Sequence, residues 1–245
     1  MNLNAELYNR FDIAPLHIRD FLVWLADSYQ VNSKPHFLDI GCGPGRLLST
    51  MADLSWQVTG YEPDADYCAA AAKIAAQNPL ISVRQAGFAE LDEDETYHII
   101  AAINAPFAYL LDIASRLDAL ERMYRALKPN GIIFLDFPNF LWILRHFRPP
   151  QDSVYIDENG DRFRRAIRHD IDWHSSTFTH TDTFYRNGEY LSTQVHRMGI
   201  VAPQTIISLI EQVGFSDIRS YNNFANREPQ RIKNQRIMLS ARKPL

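Results

Sequence analysis

The stretch Phe37-Leu38-Asp39-Ile40-Gly41-Cys42-Gly43-Pro44-Gly45-Arg46 constrains this chain more than any other. It reads as a buried strand that carries an acid near its end and then enters a glycine loop. Three glycines at alternate positions let the backbone turn tightly and leave no Cβ between loop and ligand. A glycine loop between strand and helix is how doubly wound α/β folds seat nucleotide-like ligands. The variant matters. A dinucleotide fingerprint reads G-x-G-x-x-G, whereas the sixth position here is Arg46, and the pattern is Asp39-x-Gly41-x-Gly43-x-Gly45.

The flanking sequence repeats the alternation of strand and helix. Residues 4–30 read as helical, with Phe21, Leu22, Trp24 and Leu25 on one side, up to Pro35. Strands are expected at His36–Ile40, Gln57–Tyr61, Ile81–Gln85, His98–Ile103 and Ile132–Phe137. Helices are expected at about Arg46–Leu54, Ala65–Gln77 and Arg116–Leu127, the second broken by Asn78-Pro79. That order predicts a mostly parallel sheet with helices on both faces. After residue 138 the rhythm changes. Residues 153–200 alternate polar and apolar residues around the hairpin signals Asn159-Gly160 and Asn187-Gly188, which predicts an antiparallel β insertion. A helix Pro203–Val213 capped by Gly214, then strands Ser216–Tyr221 and Ile237–Ala241, close the chain.

Composition narrows the class. In 245 residues, 46% hydrophobic and 22% charged content suit a globular protein with a sizeable core. The two cysteines, Cys42 and Cys68, do not suggest a disulfide, since Cys42 lies in the glycine loop; a reducing cytoplasm is the expected compartment. Cys/His spacing suited to a zinc site is absent, so no metal is expected. The N-terminus lacks a signal-peptide core, and no apolar run approaches the roughly 20 residues that span a bilayer. A net charge of −4 gives a modest argument against nucleic acid as the main partner.

Asp39-x-Gly41-x-Gly43-x-Gly45 resembles motif I of class I S-adenosylmethionine (SAM)-dependent methyltransferases, and the resemblance extends along the chain. Glu62 stands where that family places an acid on the ribose hydroxyls of SAM, 17 residues after Gly45. Gly87-Phe88-Ala89 occupies the place of the family's Gly-Asp-Ala beside the adenine, with phenylalanine where the acid belongs. Phe88 would stack on or flank the base, or the Ala89 amide would serve it. Asn104 follows strand four, where the family approaches the methionine moiety. Leu127-Lys128-Pro129-Asn130-Gly131 is like the family's turn into strand five, and Gly214-Phe215 like its C-terminal signature. The resemblance implies a Rossmann-like seven-stranded sheet, doubly wound, with the β insertion covering the active site. It implies one methyltransferase domain over residues 1–245: a helical lid (1–30), a SAM-binding core (31–137), a substrate cap (138–200) and a closing segment (201–245). The implied cofactor set is SAM, with Asp39, Gly41, Cys42, Gly43, Gly45, Glu62, Phe88, Ala89 and Asn104 around it. Asp39 would organise the loop by accepting backbone N–H bonds, and Cys42 would be a small loop residue rather than a nucleophile.

The acceptor side has no comparable signature. A sulfonium methyl is already activated, so the enzyme chiefly positions the acceptor and removes water. Tyr8 and Phe11 resemble the aromatic lid of small-molecule methyltransferases; Asn139, Trp142 and Trp173 are the other acceptor-pocket candidates, each with plain packing as its alternative. His174 is the first histidine to test as a base, with His180 beside it in a strand. Asn104-Ala105-Pro106-Phe107 is close to the Asn-Pro-Pro-Phe motif that binds planar amino groups, with Ala105 in place of the first proline. Basic residues cluster from Arg219 to Lys243. The expectation is a cytoplasmic monomer or homodimer that methylates an O or N atom of a small molecule, without membrane or nucleic-acid partners. Its rivals are a nucleic-acid or protein N-methyltransferase, a non-catalytic SAM-binding module and, more distantly, a nucleotide dehydrogenase.

Overall fold

Strand alternation decides the layers. In a computed structural model of the chain, which describes residues 15–31, 34–147, 149 and 151–245, neighbouring residues of each central strand point to opposite faces of one sheet. Leu38, Ile40, Ile100, Ala102, Ile133 and Leu135 meet one helical layer. Phe37, Ile99, Ala101, Ile132 and Phe134 meet the other. Near-continuous apolar strands of this kind are those buried on both faces.

The elements run α1 (Pro15–Ser28), β1 (His36–Ile40), α2 (Arg46–Ala52), β2 (Gln57–Tyr61), α3 (Ala65–Ala75), β3 (Ile81–Arg84), β4 (Tyr97–Ala102), α4 (Ile113–Ala126) and β5 (Leu127–Pro138). They continue with α5 (Phe140–Arg145), β6 (Ser153–Ile156), β7 (Arg162–Asp172), β8 (Thr177–Arg186), β9 (Glu189–Gly199), α6 (Pro203–Val213), β10 (Ser216–Tyr221) and β11 (Arg236–Arg242). Seven strands form one sheet in the order β10-β11-β5-β4-β1-β2-β3. The run from β5 to β3 is parallel, and β11 lies antiparallel to both of its neighbours. The chain leaves β1 toward β2 and later returns to its other side as β4, so a crevice opens at the carboxyl ends of these strands. Helices α1 and α2 cover one face through Phe21, Leu25, Leu48 and Met51. Helices α4 and α6 cover the other through Leu120, Met123, Ile206 and Ile210.

Strands β6 to β9 form a separate four-stranded antiparallel sheet, as the alternation over 153–200 predicts. Its hairpin signals behave as turns: Asn187 and Gly188 both adopt positive φ, which a tight hairpin needs. The sequence pattern does not reveal α5, a short helix capped by Asn139. Phe140 at its start packs on Phe178 of β8, with ring centroids 5.1 Å apart, and joins the second sheet to the core. Among the described residues no helix is long and apolar enough to cross a membrane.

Candidate active site

The glycine loop leaves β1 through two backbone hydrogen bonds, from the Gly41 and Cys42 N–H groups to the Tyr61 carbonyl. Gly41 sits at φ 78°, and a Cβ there would lie 2.6 Å from Pro106 Cβ. This glycine is required by the close approach of the loop after β4. Gly43, at φ 56°, would meet nothing within 4 Å, so its bare backbone faces open space. The N–H of Gly43 donates to Glu62 Oε2 at 2.8 Å, and the N–H of Asp64 donates to Glu62 Oε1 at 2.9 Å. Glu62, not Asp39, is therefore the carboxylate that organises the loop. The Asp39 side chain accepts no hydrogen bond among the described residues. Burial and the neighbouring Glu62 charge push its pKa up to about 7. Burial also raises Glu62, opposed by the two backbone donors.

A cleft of about 530 Å³ opens beside the loop, bounded by Gly43, Glu62, Phe88, Asn104, Tyr109 and the strand segment Gln194–His196. A small recess of about 70 Å³ shares Gly41, Gly43 and Asn104 and adds Asp39, Cys42, Asp136 and Arg236. Phe88 lines the cleft with its ring edge-on to Phe107. Ala89 is exposed on the short turn after β3 and does not line it. Glu90 reaches back to the Gly87 N–H at 2.7 Å, so the nearby acid closes its own turn. Burial raises the Cys42 thiol, and its Sγ lies toward the Gly43 carbonyl at 3.7 Å. Both properties suit an inert loop residue.

Asn104 and Ala105 both adopt positive φ, 65° and 82°. Proline is locked near −65°, so Ala105 holds a conformation the Asn-Pro-Pro-Phe motif cannot. The likeness to that motif ends at the backbone. Asp136, fully buried at the end of β5, holds this loop. Its Oδ2 accepts the Asn104 N–H at 3.1 Å, and its carboxylate takes both arms of the Arg236 guanidinium, with Nε to Oδ1 at 2.6 Å. Two further basic residues of the C-terminal stretch have partners within the chain, whereas Arg227, Arg231 and Lys233 are exposed. Arg219 pairs with Asp217 over the Tyr29 ring, and Lys243 donates to the Leu127 carbonyl at 2.7 Å.

Several acceptor candidates fall elsewhere. Tyr8 and Phe11 lie outside the described residues. Asn139 is buried with its polar atoms in use: Oδ1 caps α5 and Nδ2 donates to the Asn234 carbonyl at 2.9 Å. Trp142 stacks on His146, centroids 4.1 Å apart. Trp173 is 73% exposed, and His174 is exposed in the same β7–β8 turn, where its backbone N–H donates to Asp172. None of these four described residues lines the cleft. The cleft is closed instead by residues the sequence reading did not select. Tyr67 hydrogen-bonds Gln194, and the Tyr109 hydroxyl meets His196 Nδ1 at 2.5 Å. His180 is half-buried and does not line the cleft; its Nε2 donates to Asp182 Oδ1 at 2.9 Å. The signal for His196 is its period-two alternation with Gln194 and Met198, but that pattern does not say which partner strands it opposes.

Residues 37–131 match the family profile described as a methyltransferase domain. This segment, under half of the chain, thus carries a methyltransferase domain by sequence, and its pattern is similar to that of class I SAM-dependent methyltransferases. A ubiquinone biosynthesis O-methyltransferase of Bradyrhizobium diazoefficiens is 33% identical over 106 residues, 43% of this chain and 40% of that protein. The fold resembles that of a SAM-dependent methyltransferase from Clostridium acetobutylicum, with TM-score 0.79 at 13% identity over 99% of this chain and 98% of the other. It also resembles SAM-bound CalS10, an amino pentose methyltransferase from Micromonospora echinaspora. There the TM-score is 0.76 at 15% identity, over 99% and 97% of the two chains. Glu62 keeps acceptor capacity toward the cleft. A carboxylate offers about four acceptor sites, and the two backbone donors use one on each oxygen.

Proposed function

We propose that the methyltransferase binds SAM in the large cleft and moves the methyl group to an oxygen or nitrogen of a small-molecule acceptor. One observation carries the reading: the glycine-loop cleft is roofed by β9 of the second sheet, through Gln194 and His196. A roofed space of about 530 Å³ lies in the range of small-molecule sites, roughly 300–1,000 Å³, and does not suit a polymer substrate. The buried Asp136 partner of Arg236 likewise takes that cation away from a phosphate backbone. The likeness to CalS10, whose acceptor is an amino sugar, agrees with a polar acceptor.

Gly43, Glu62 and Phe88 would hold the nucleoside end of SAM, and Asp39 with Asn104 the methionine end. Bound SAM supplies a methyl group on an activated sulfonium. The protein's part is to align the acceptor and keep water out, and the strand β9 beside the loop is the element placed to serve that end. Calorimetry tests the reading: SAM and S-adenosylhomocysteine (SAH) bind the wild type, and Glu62→Gln weakens both about ten- to hundredfold, as loss of charge-assisted bonds predicts. Absence of binding to the wild type overturns it.

A further inference from the structure

Tyr109 and His196 come from different layers and meet only in the fold. Tyr109 ends the short helical turn Pro106–Tyr109 after β4, and His196 lies on β9 of the cap. The hydroxyl and Nδ1 are 2.5 Å apart, and both residues line the cleft that holds Glu62 and Asn104. Tyr109 is 46% exposed, so this hydrogen bond is open to a ligand and is not sealed in a core. Strand register places further polar groups behind it. His169, His180 and His196 stand opposite one another on three strands. His169 Nε2 and His180 Nδ1 share a hydrogen bond of 2.8 Å. Asp182 accepts from His180 and takes Arg165 in a two-armed pair at 2.8 and 2.7 Å.

We propose that Tyr109 and His196 are the proton-accepting pair of the transfer, and that the acceptor is an amine or hydroxyl compound whose reacting atom must lose a proton. The proposal rests on the reading that SAM occupies this cleft. Tyr109 Oη takes the proton from the acceptor's N–H or O–H while its own proton passes to His196 Nδ1. The acceptor's lone pair forms the new bond to the methyl carbon, and the pair of the broken carbon–sulfur bond stays on sulfur. One positive charge leaves the sulfonium and one arrives on the His196 imidazolium, so charge balances.

The electrostatics agree with these roles. Burial lowers the pKa of His196, helped by His180 and Arg165 and opposed by Asp182, so its ring is neutral at pH 7 and has a lone pair to offer. Although part of its ring is exposed, desolvation of the Tyr109 hydroxyl end within the cleft raises it to about 12, with Tyr67, Glu62 and Asp182 adding to the effect, so the phenol keeps its proton and donates it to Nδ1. The pair is thereby set in the direction the transfer needs.

The test measures SAH release with glucosamine, tyramine and catechol as probe acceptors, together with SAM affinity by calorimetry. The wild type should methylate at least one probe. Its kcat/KM should fall on the acid side with an apparent pKa below the ordinary histidine value of about 6.5. Tyr109→Phe and His196→Gln should each lower kcat/KM about a hundredfold or more. His196→Gln should also remove the acid limb, which a purely structural role would leave in place. Both variants should bind SAM within about threefold of the wild type, which shows that they are folded. Bound SAM with no probe methylated, or variants that keep the wild-type rate and pH profile, overturns this proposal. Failure of the wild type to bind SAM overturns the cofactor reading instead.

Discussion

At the scale of single residues, two carboxylates near the glycine loop divide the work by their surroundings. Glu62 has two backbone donors that oppose the upward push of burial, whereas Asp39 has none among the described residues. Burial and the Glu62 charge lift the Asp39 pKa to about 7. The sign follows directly. The carboxylate form attracts a cationic ligand and the protonated form does not, so SAM affinity should rise with pH through 7. At pH 6 only about a tenth of Asp39 is ionised, which predicts about tenfold weaker binding than at pH 8. Calorimetry at the two values checks this, and Asp39→Asn should bind weakly and equally at both. The order Asp39, three glycines and Glu62 was legible in the sequence. The assignment of the loop-holding carboxylate was not, because it depends on where backbone N–H groups point after the chain turns at Gly41 and Gly43.

The cap sheet shows the same division at the scale of elements. Alternating residues and two Asn-Gly turns announce β7, β8 and β9, and they form as expected. Side-chain alternation gives faces but not register, so the line-up of His169, His180 and His196 could not be read beforehand. His174 is the first base candidate by sequence, yet a turn carries it into solvent while the strand leaves His180 half-buried. The short helix α5 is not legible because six residues make fewer than two turns, too few for an apolar repeat to show, and the Asn139 amide is taken up by that helix's cap and the Asn234 carbonyl. Asp182 anchors the inward face. Burial pushes its carboxyl up, but bonds and charges from His180 and Arg165 outweigh this and hold it at about 2. Its side chain is 4% exposed, so screening by water is slight. A depressed carboxyl stabilises the fold above its unfolded pKa and loses that contribution as pH falls through the folded value. Between about pH 5 and 2 the wild type should therefore lose roughly 2 kcal/mol of stability from this group. Thermal unfolding across that window should be less pH-dependent in Asp182→Asn; an identical slope would refute the assignment.

At the scale of the whole molecule, the last strand completes the site begun by the first. Strand β11 pairs antiparallel with β5, which brings Arg236 onto Asp136 across 100 residues of sequence. Asp136 in turn holds the Asn104 N–H in a loop whose two positive-φ residues would otherwise relax. The pair thus ties the C-terminal strand to the loop after β4 at the edge of the glycine-loop cleft. Sequence reading saw Arg236 as one of a basic cluster, since nothing local marks its distant buried partner. Removing one partner of a buried pair leaves the other charge uncompensated, which costs about 3–5 kcal/mol, whereas replacing both with apolar groups is often near neutral. Arg236→Met alone should lower stability by about that amount in denaturant unfolding and weaken SAM binding through the loosened Asn104 loop. Arg236→Met combined with Asp136→Leu should recover most of the stability but not the SAM affinity, because the acceptor for the Asn104 N–H is still missing. Equal recovery of both would mean that the pair supports the fold alone and that the loop after β4 is held by its own backbone.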